Sequence, residues 1–123
     1  MATNFRLPTK TITVQEVPVI YPQPDGTVAE GVLVTQFKIL KRSETDAIDK
    51  SAKETAEKTG DSPDVRLLYL SDAVIGISNV VDDAGAVMLP ENAKTQCLDD
   101  PILRLALWNG YIEMINKSPK TNK

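Results

Sequence analysis

The sequence predicts an α+β fold, an N-terminal antiparallel β-hairpin packed on a small C-terminal bundle of three to four helices. Three observations lead to it. Two β-rich runs flank a dense Pro-Asp-Gly turn signal in the first forty residues. At Arg42 the composition changes to Ala, Glu and Lys, the residues of an exposed helix. Beyond it, prolines at Pro63, Pro90 and Pro101 each stand where a helix would take its first residue.

Each element follows from its own residues. Residues 1–10 read as a flexible arm, with Pro8 preventing a regular start. From Thr11, Ile12, Val14, Val17, Val19 and Tyr21 nearly alternate with polar residues, and Pro18 interrupts them. Proline has no N–H for a ladder, so this strand belongs at a sheet edge or carries a bulge. Pro22, Pro24, Asp25 and Gly26 make the turn, and a second strand runs from Val32 to Leu40 through Val34, Phe37 and Ile39. Ser43 is the expected cap of a helix over Glu44 to Lys58, with Asp46 completing an approximate capping box and Gly60 ending it. Its apolar residues are only Ala47, Ile48, Ala52 and Ala56, so its buried face is thin and a mobile loop is expected near 59–62.

Ser62-Pro63-Asp64 combines a cap, a first-turn proline and a carboxylate at the positive dipole end. The helix it opens is expected to reach about Ile77. Val65, Leu67, Leu68, Tyr69, Leu70, Val74 and Ile75 make it apolar almost all round, which suits the centre of a core or a partner's surface. Asp82-Asp83-Ala84-Gly85 is a turn between short β-prone pieces, and Pro90 starts a polar helix through Cys97. Asp100 then caps a last helix with Pro101 at its first position. Ile102, Leu105, Ala106, Ile112 and Ile115 have helical spacing there, with Trp108 and Tyr111 near the stripe. Gly110 costs that helix up to about 1 kcal/mol against alanine, which implies a close contact or a bend. The single domain is thus expected over 11–116, with 117–123 a flexible tail carrying Lys117, Lys120 and Lys123.

Composition narrows the function. A net charge of −3 opposes binding to nucleic acid, whose phosphates attract basic clusters. No apolar run is long enough for a membrane span, and none near the start resembles a signal peptide, so an unexported, soluble protein is expected. Histidine is absent and Cys97 is the single cysteine. Ser–His and Cys–His pairs, His-ligated zinc and an internal disulfide are therefore impossible, and no cofactor, metal or enzymatic activity is expected. The scattered glycines form neither a dinucleotide fingerprint nor a phosphate loop. Asp82-Asp83-Ala84-Gly85 lacks the spaced ligands of a calcium loop and reads better as a turn. Trp108 is read first as packing, then as a contact for a partner, because tryptophan is frequent in interface hot spots.

The order of these features resembles a known family. An early Phe5 and Leu7 precede the Pro24-Asp25-Gly26-Thr27 hairpin turn. Phe37-Lys38-Ile39-Leu40-Lys41-Arg42-Ser43-Glu44 marks a strand-to-helix junction, and an acidic variable helix follows. Val80-Val81-Asp82-Asp83-Ala84-Gly85 and the helix start Asp100-Pro101-Ile102-Leu103-Arg104-Leu105 complete the series, with Tyr111 in the next turns. This series is similar to the tail assembly chaperones of siphophages over nearly the whole chain. Relatives often carry a Gly-Trp pair before the Val-x-Asp turn, where this chain has Gly76-Ile77-Ser78-Asn79.

The resemblance implies a non-enzymatic protein of the infected host's cytoplasm, absent from the mature virion. Its partner would be the tape measure protein, held against aggregation until tube subunits polymerise around it. Many such families also make a longer frameshifted product, whose extension would recruit the tail tube subunits. Coating a long rod would also suit a homo-oligomer. On the C-terminal helix, Leu105, Trp108, Tyr111 and Ile112 are the candidate partner-binding residues. The alternatives are a structural tail component, whose hairpin would pair edge to edge in a ring, and a small host-directed inhibitory binding protein.

Overall fold

The computed structural model describes residues 12–61 and 63–116. The expected arm, the basic tail and the cap at Ser62 lie outside them. Two long strands, β1 (Ile12–Pro22) and β2 (Val28–Lys38), pair antiparallel from Ile12↔Lys38 to Pro22↔Val28. Gly26 allows the turn between them by adopting a φ of 89°. Asp25 braces it, accepting hydrogen bonds from the Thr27 N–H (3.0 Å) and hydroxyl (2.6 Å).

β1 is an edge strand, as Pro18 demands. The Gln23 N–H donates to the Thr27 carbonyl at 2.8 Å. By antiparallel alternation, odd-numbered residues of β1 then turn their backbone groups to β2 and even-numbered ones to the open edge. Pro18 and Pro22 are even, so their missing N–H groups fall where no ladder bond is lost.

The α1 helix (Arg42–Thr59) starts two residues earlier than expected, with Lys41 in place of Ser43 in the capping position. Glu44 decides this. One of its carboxylate oxygens accepts from the Lys41 N–H at 3.0 Å while the other is ion-paired with Lys38 at the end of β2. Gly60 ends α1 in the left-handed conformation, as expected. α2 (Val65–Ala73) is capped by Asp64, whose Oδ1 accepts from Arg66 N (3.1 Å) and Leu67 N (3.3 Å).

The central helix is shorter than the sequence predicts. It stops at Ala73, and Val74–Ile77 form a third strand, β3, against the second edge of β2. Val74, Ile75 and Ile77 are β-branched and favour that conformation, and an unpaired β2 edge offers them a ladder. Phe37 pairs with Val74, Gln36 with Gly76 and Thr35 with Ile77, with a bulge between Gln36 and Phe37. Where β3 ends, the Asn79 side chain continues the ladder. Its Oδ1 accepts from Val34 N at 2.9 Å and its Nδ2 donates to the Val32 carbonyl at 2.8 Å. A tight loop follows, bridged at Val81↔Val87, before α3 (Pro90–Asp99) and α4 (Pro101–Asn116).

The helices cover one face of the sheet. Val17, Phe37, Val74 and Ile77 pack from the strands against Leu70, Ala73, Ala93, Cys97, Leu107 and Tyr111 from the helices. α1 lies outermost, against α2, and buries only Ile48 and Ala52, the thin face expected of it. The row that α4 buries differs from the predicted stripe. Leu107 and Tyr111 are buried with Leu103 and Met114 beside them, while Leu105 and Ile115 are half exposed. Gly110 sets this rotation: a Cβ there would lie 2.8 Å from Val17 Cγ2, so α4 rests its backbone directly on β1.

A second tie fixes α4 along β1. Asp100 Oδ1 accepts from Ile102 N (2.9 Å) and Leu103 N (3.3 Å), capping the helix, and Oδ2 accepts from the Tyr21 hydroxyl. Four residues of strand separate Tyr21 from Val17, about 14 Å. Ten residues of helix separate Asp100 from Gly110, about 15 Å, so the two ties match in length and α4 runs antiparallel to β1.

Gly110→Ala should destabilise the fold by about 1–2 kcal/mol in urea unfolding, because overpacking against the rigid Val17 outweighs the gain of about 1 kcal/mol in helix propensity. Adding Val17→Ala should recover part of that loss in a double-mutant cycle.

The Asp100 carboxyl is held below its ordinary value of 3.8, first by the Tyr21 hydroxyl and then by the cap N–H groups. A carboxyl lowered on folding stabilises above its ordinary value and loses that contribution as pH falls through the folded one. The stability gap between the wild type and Tyr21→Phe should therefore be full at neutral pH and narrow below about pH 4. Urea midpoints across pH check this; a constant gap would refute the tie.

Candidate partner-binding surfaces

Among the described residues, large apolar side chains stand outside the core on two extended surfaces and also at Val81, Val87 and Leu89 of the loop before α3. The first is on α4. Leu105 and Ile112 lie seven residues apart on one row of the helix, with Trp108 beside them. Leu105 is 50% exposed, and Trp108 and Ile112 are half-buried.

Trp108 is chiefly a packing residue. Its ring meets Tyr69 edge-on at 6.0 Å and Tyr111 at 6.3 Å, and the Arg66 guanidinium sits 5.7 Å from its centroid. Tyr111 continues inward to Phe37 at 5.8 Å, and its hydroxyl accepts from Leu40 N at 3.3 Å. At 4% exposure, Tyr111 is a support beneath the surface and not part of it. At the outer end, the Tyr69 hydroxyl donates to Asp49 of α1 at 2.9 Å, and burial followed by that carboxylate raises its pKa. The aromatic series thus ties sheet, α4, α2 and α1 together. Of the four predicted residues, the surface retains Leu105, Ile112 and one side of Trp108.

The second surface is the outer face of the hairpin. Even-numbered residues of both strands point away from the helices, and Ile12, Val14, Ile20, Val28 and Val32 among them are 44–64% exposed. Sequence reading missed this face. Its signal was present: in β1 the apolar residues change parity, from Ile12 and Val14 to Val17, Val19 and Tyr21, and Ile20 adds to the first set. A strand with apolar residues of both parities needs cover on both faces.

No protein-family model, characterised protein or solved structure matches this chain. Among the described residues there is no group of three or more acidic or cysteine side chains arranged to hold a metal ion. No helix among them is long and apolar enough to cross a membrane. Cys97 is 2% exposed, and burial raises its pKa, so its thiol stays protonated at neutral pH. The Asp82 carboxylate is occupied by its own turn, accepting from Ala84 N (2.9 Å) and Ala86 N (3.0 Å). What the described surface does carry is exposed apolar area.

Leu105→Ser should leave stability within about 0.5 kcal/mol, as expected of an exposed position. Trp108→Ala should cost about 2–3 kcal/mol through lost aromatic packing. Thermal or urea unfolding separates them, and equal effects would overturn this division between surface and support.

Proposed function

We propose that this chain is a siphophage tail assembly chaperone. It acts without catalysis, binding the tape measure protein in the host cytoplasm and keeping it soluble until tail tube subunits polymerise around it. The observation that carries the reading is the aliphatic outer face of the hairpin, which the described helices, packed on the inner face, leave exposed among the described residues. A protein that must hold a long apolar-striped helix needs such a face. The series of motifs from the Pro24-Asp25-Gly26-Thr27 turn to the Asp100-Pro101 helix start supports the family. The exposed row of Leu105 and Ile112 supplies further apolar area.

A structural tail component would pair hairpins edge to edge. Pro18 and Pro22 disfavour that on β1, since an added strand meets no N–H at either position.

Co-expression with the phage's tape measure protein tests the proposal. The tape measure protein should move into the soluble fraction and co-purify with this chain at high mass, while mass spectrometry of purified virions finds the chain missing. A tape measure protein that stays insoluble, with this chain present in intact tails, would replace the chaperone with a structural component.

A further inference from the structure

We infer that the outer face of the β1–β2 hairpin seats one amphipathic α-helix, about 25 residues long, with an aliphatic stripe flanked by lysine or arginine. This deepens the chaperone reading and rests on it for the partner's identity, but its chemistry comes from the face itself.

The dimensions fit a helix. Each strand has 11 residues, which makes the face about 37 Å long, and two strands about 4.8 Å apart with their side chains make it about 10 Å wide. An α-helix is 10–12 Å across and covers about 37 Å with 25 residues. Val14, Pro18, Ile20, Val32 and Val34 form the strip it would lie on.

The charges define its flanks. Glu16 stands on the β1 side of the strip and Glu30 on the β2 side, four residues apart along the ladder, or about 14 Å. The ammonium of Lys38, the basic side chain on this face among the described residues, is already paired with Glu44. An incoming helix is therefore matched by basic residues on opposite flanks, about nine positions apart.

The same charges argue against a second copy. A two-fold interface sets a patch against itself, so Glu16 and Glu30 of one copy would face the same acidic patch on the other. The strip is also about half the roughly 800 Å² that each partner contributes to a standard interface. An added strand is blocked at the β1 edge by Pro18 and Pro22.

Two synthetic 25-residue helical peptides test the inference, both with a leucine stripe, one flanked by lysine and the other by glutamate. Anisotropy titrations would use the full chain, a Val14→Thr/Ile20→Thr/Val32→Thr variant that keeps the β-branched shape, and a Glu16→Gln/Glu30→Gln variant. The wild type should bind the lysine peptide at least about tenfold more tightly than the glutamate peptide, and more weakly as salt rises. The threonine variant should stay folded by circular dichroism and lose about tenfold or more in affinity, and the glutamine variant should lose the preference for lysine.

Equal binding of both peptides, or binding unchanged in the threonine variant, would overturn the inference. So would a wild type that ignores both peptides and sediments as a dimer while the threonine variant is monomeric, since a second copy then occupies the face. A wild type that ignores both peptides, with a threonine variant that melts well below it, would assign the face to residues 1–11 of the same chain and equally overturn it. Peptide binding as expected, with a tape measure protein that does not co-purify, would retain the inference and remove the phage role. Co-purification of the tape measure protein with the threonine variant as fully as with the wild type would do the opposite.

Discussion

The contact between Val17 and Gly110 governs how the rest of the molecule is put together. A sheet and a helix usually meet through side chains from both sides; here one side contributes only backbone, and a Cβ at Gly110 would stand 2.8 Å from Val17 Cγ2. That approach turns Leu107 and Tyr111 inward and leaves Leu105 facing out. Tyr111 then reaches Phe37 and the Leu40 N–H at the end of β2, and Trp108 and Tyr69 pass the connection on to α2 and α1. The Tyr21–Asp100 bond sets the position of α4 along the strand, while Gly110 sets its rotation. A chain with few aromatic residues obtains a continuous core by placing most of them in one line.

The helices bury the inner face of the sheet, while the start of α3, at Pro90, comes against Gly76 of β3. The inner face of the sheet carries the core, and its buried polar side chain, Thr35, donates its hydroxyl to the Leu33 carbonyl. The outer face of the hairpin carries nearly as much aliphatic material with nothing from the described helices over it. Prolines guard the open edge of β1, so the hairpin is protected against indiscriminate strand pairing while its face stays available. A flat face selects by shape and charge whereas a free edge accepts almost any extended chain, so guarding the edge removes the less selective of the two contacts.

Much of this was legible in the sequence, for local reasons. The hairpin, its Asp25-Gly26 turn, the Gly60 stop, and the Pro90 and Asp100-Pro101 helix starts all depend on residues within a few positions of each other, as do the turn at Asp82–Gly85 and the short loop it makes. The close contact expected at Gly110 is present, although its partner, Val17, is 93 residues earlier in the chain and had no local mark. The departures have non-local causes. Val74–Ile77 reads as the end of an apolar helix until the vacant edge of β2 is available to it. Ser43 looks like the better cap until Lys38, on the preceding strand, holds Glu44 where it captures the Lys41 N–H. The predicted stripe on α4 counted apolar residues at helical spacing, but the point of nearest approach to the sheet decides which row is buried.

By itself the sequence determined the hairpin and its turn, the starts of α3 and α4, and that histidine chemistry and internal disulfides are excluded, since these depend on composition and short-range backbone preference. The tertiary structure alone decided that Val74–Ile77 is a strand, that Tyr111 lies beneath the α4 surface, and that the described helices leave one aliphatic face of the hairpin exposed. The physical reason is that apolar residues carry no address: burial rewards any of them equally, and only the assembled geometry settles which are covered.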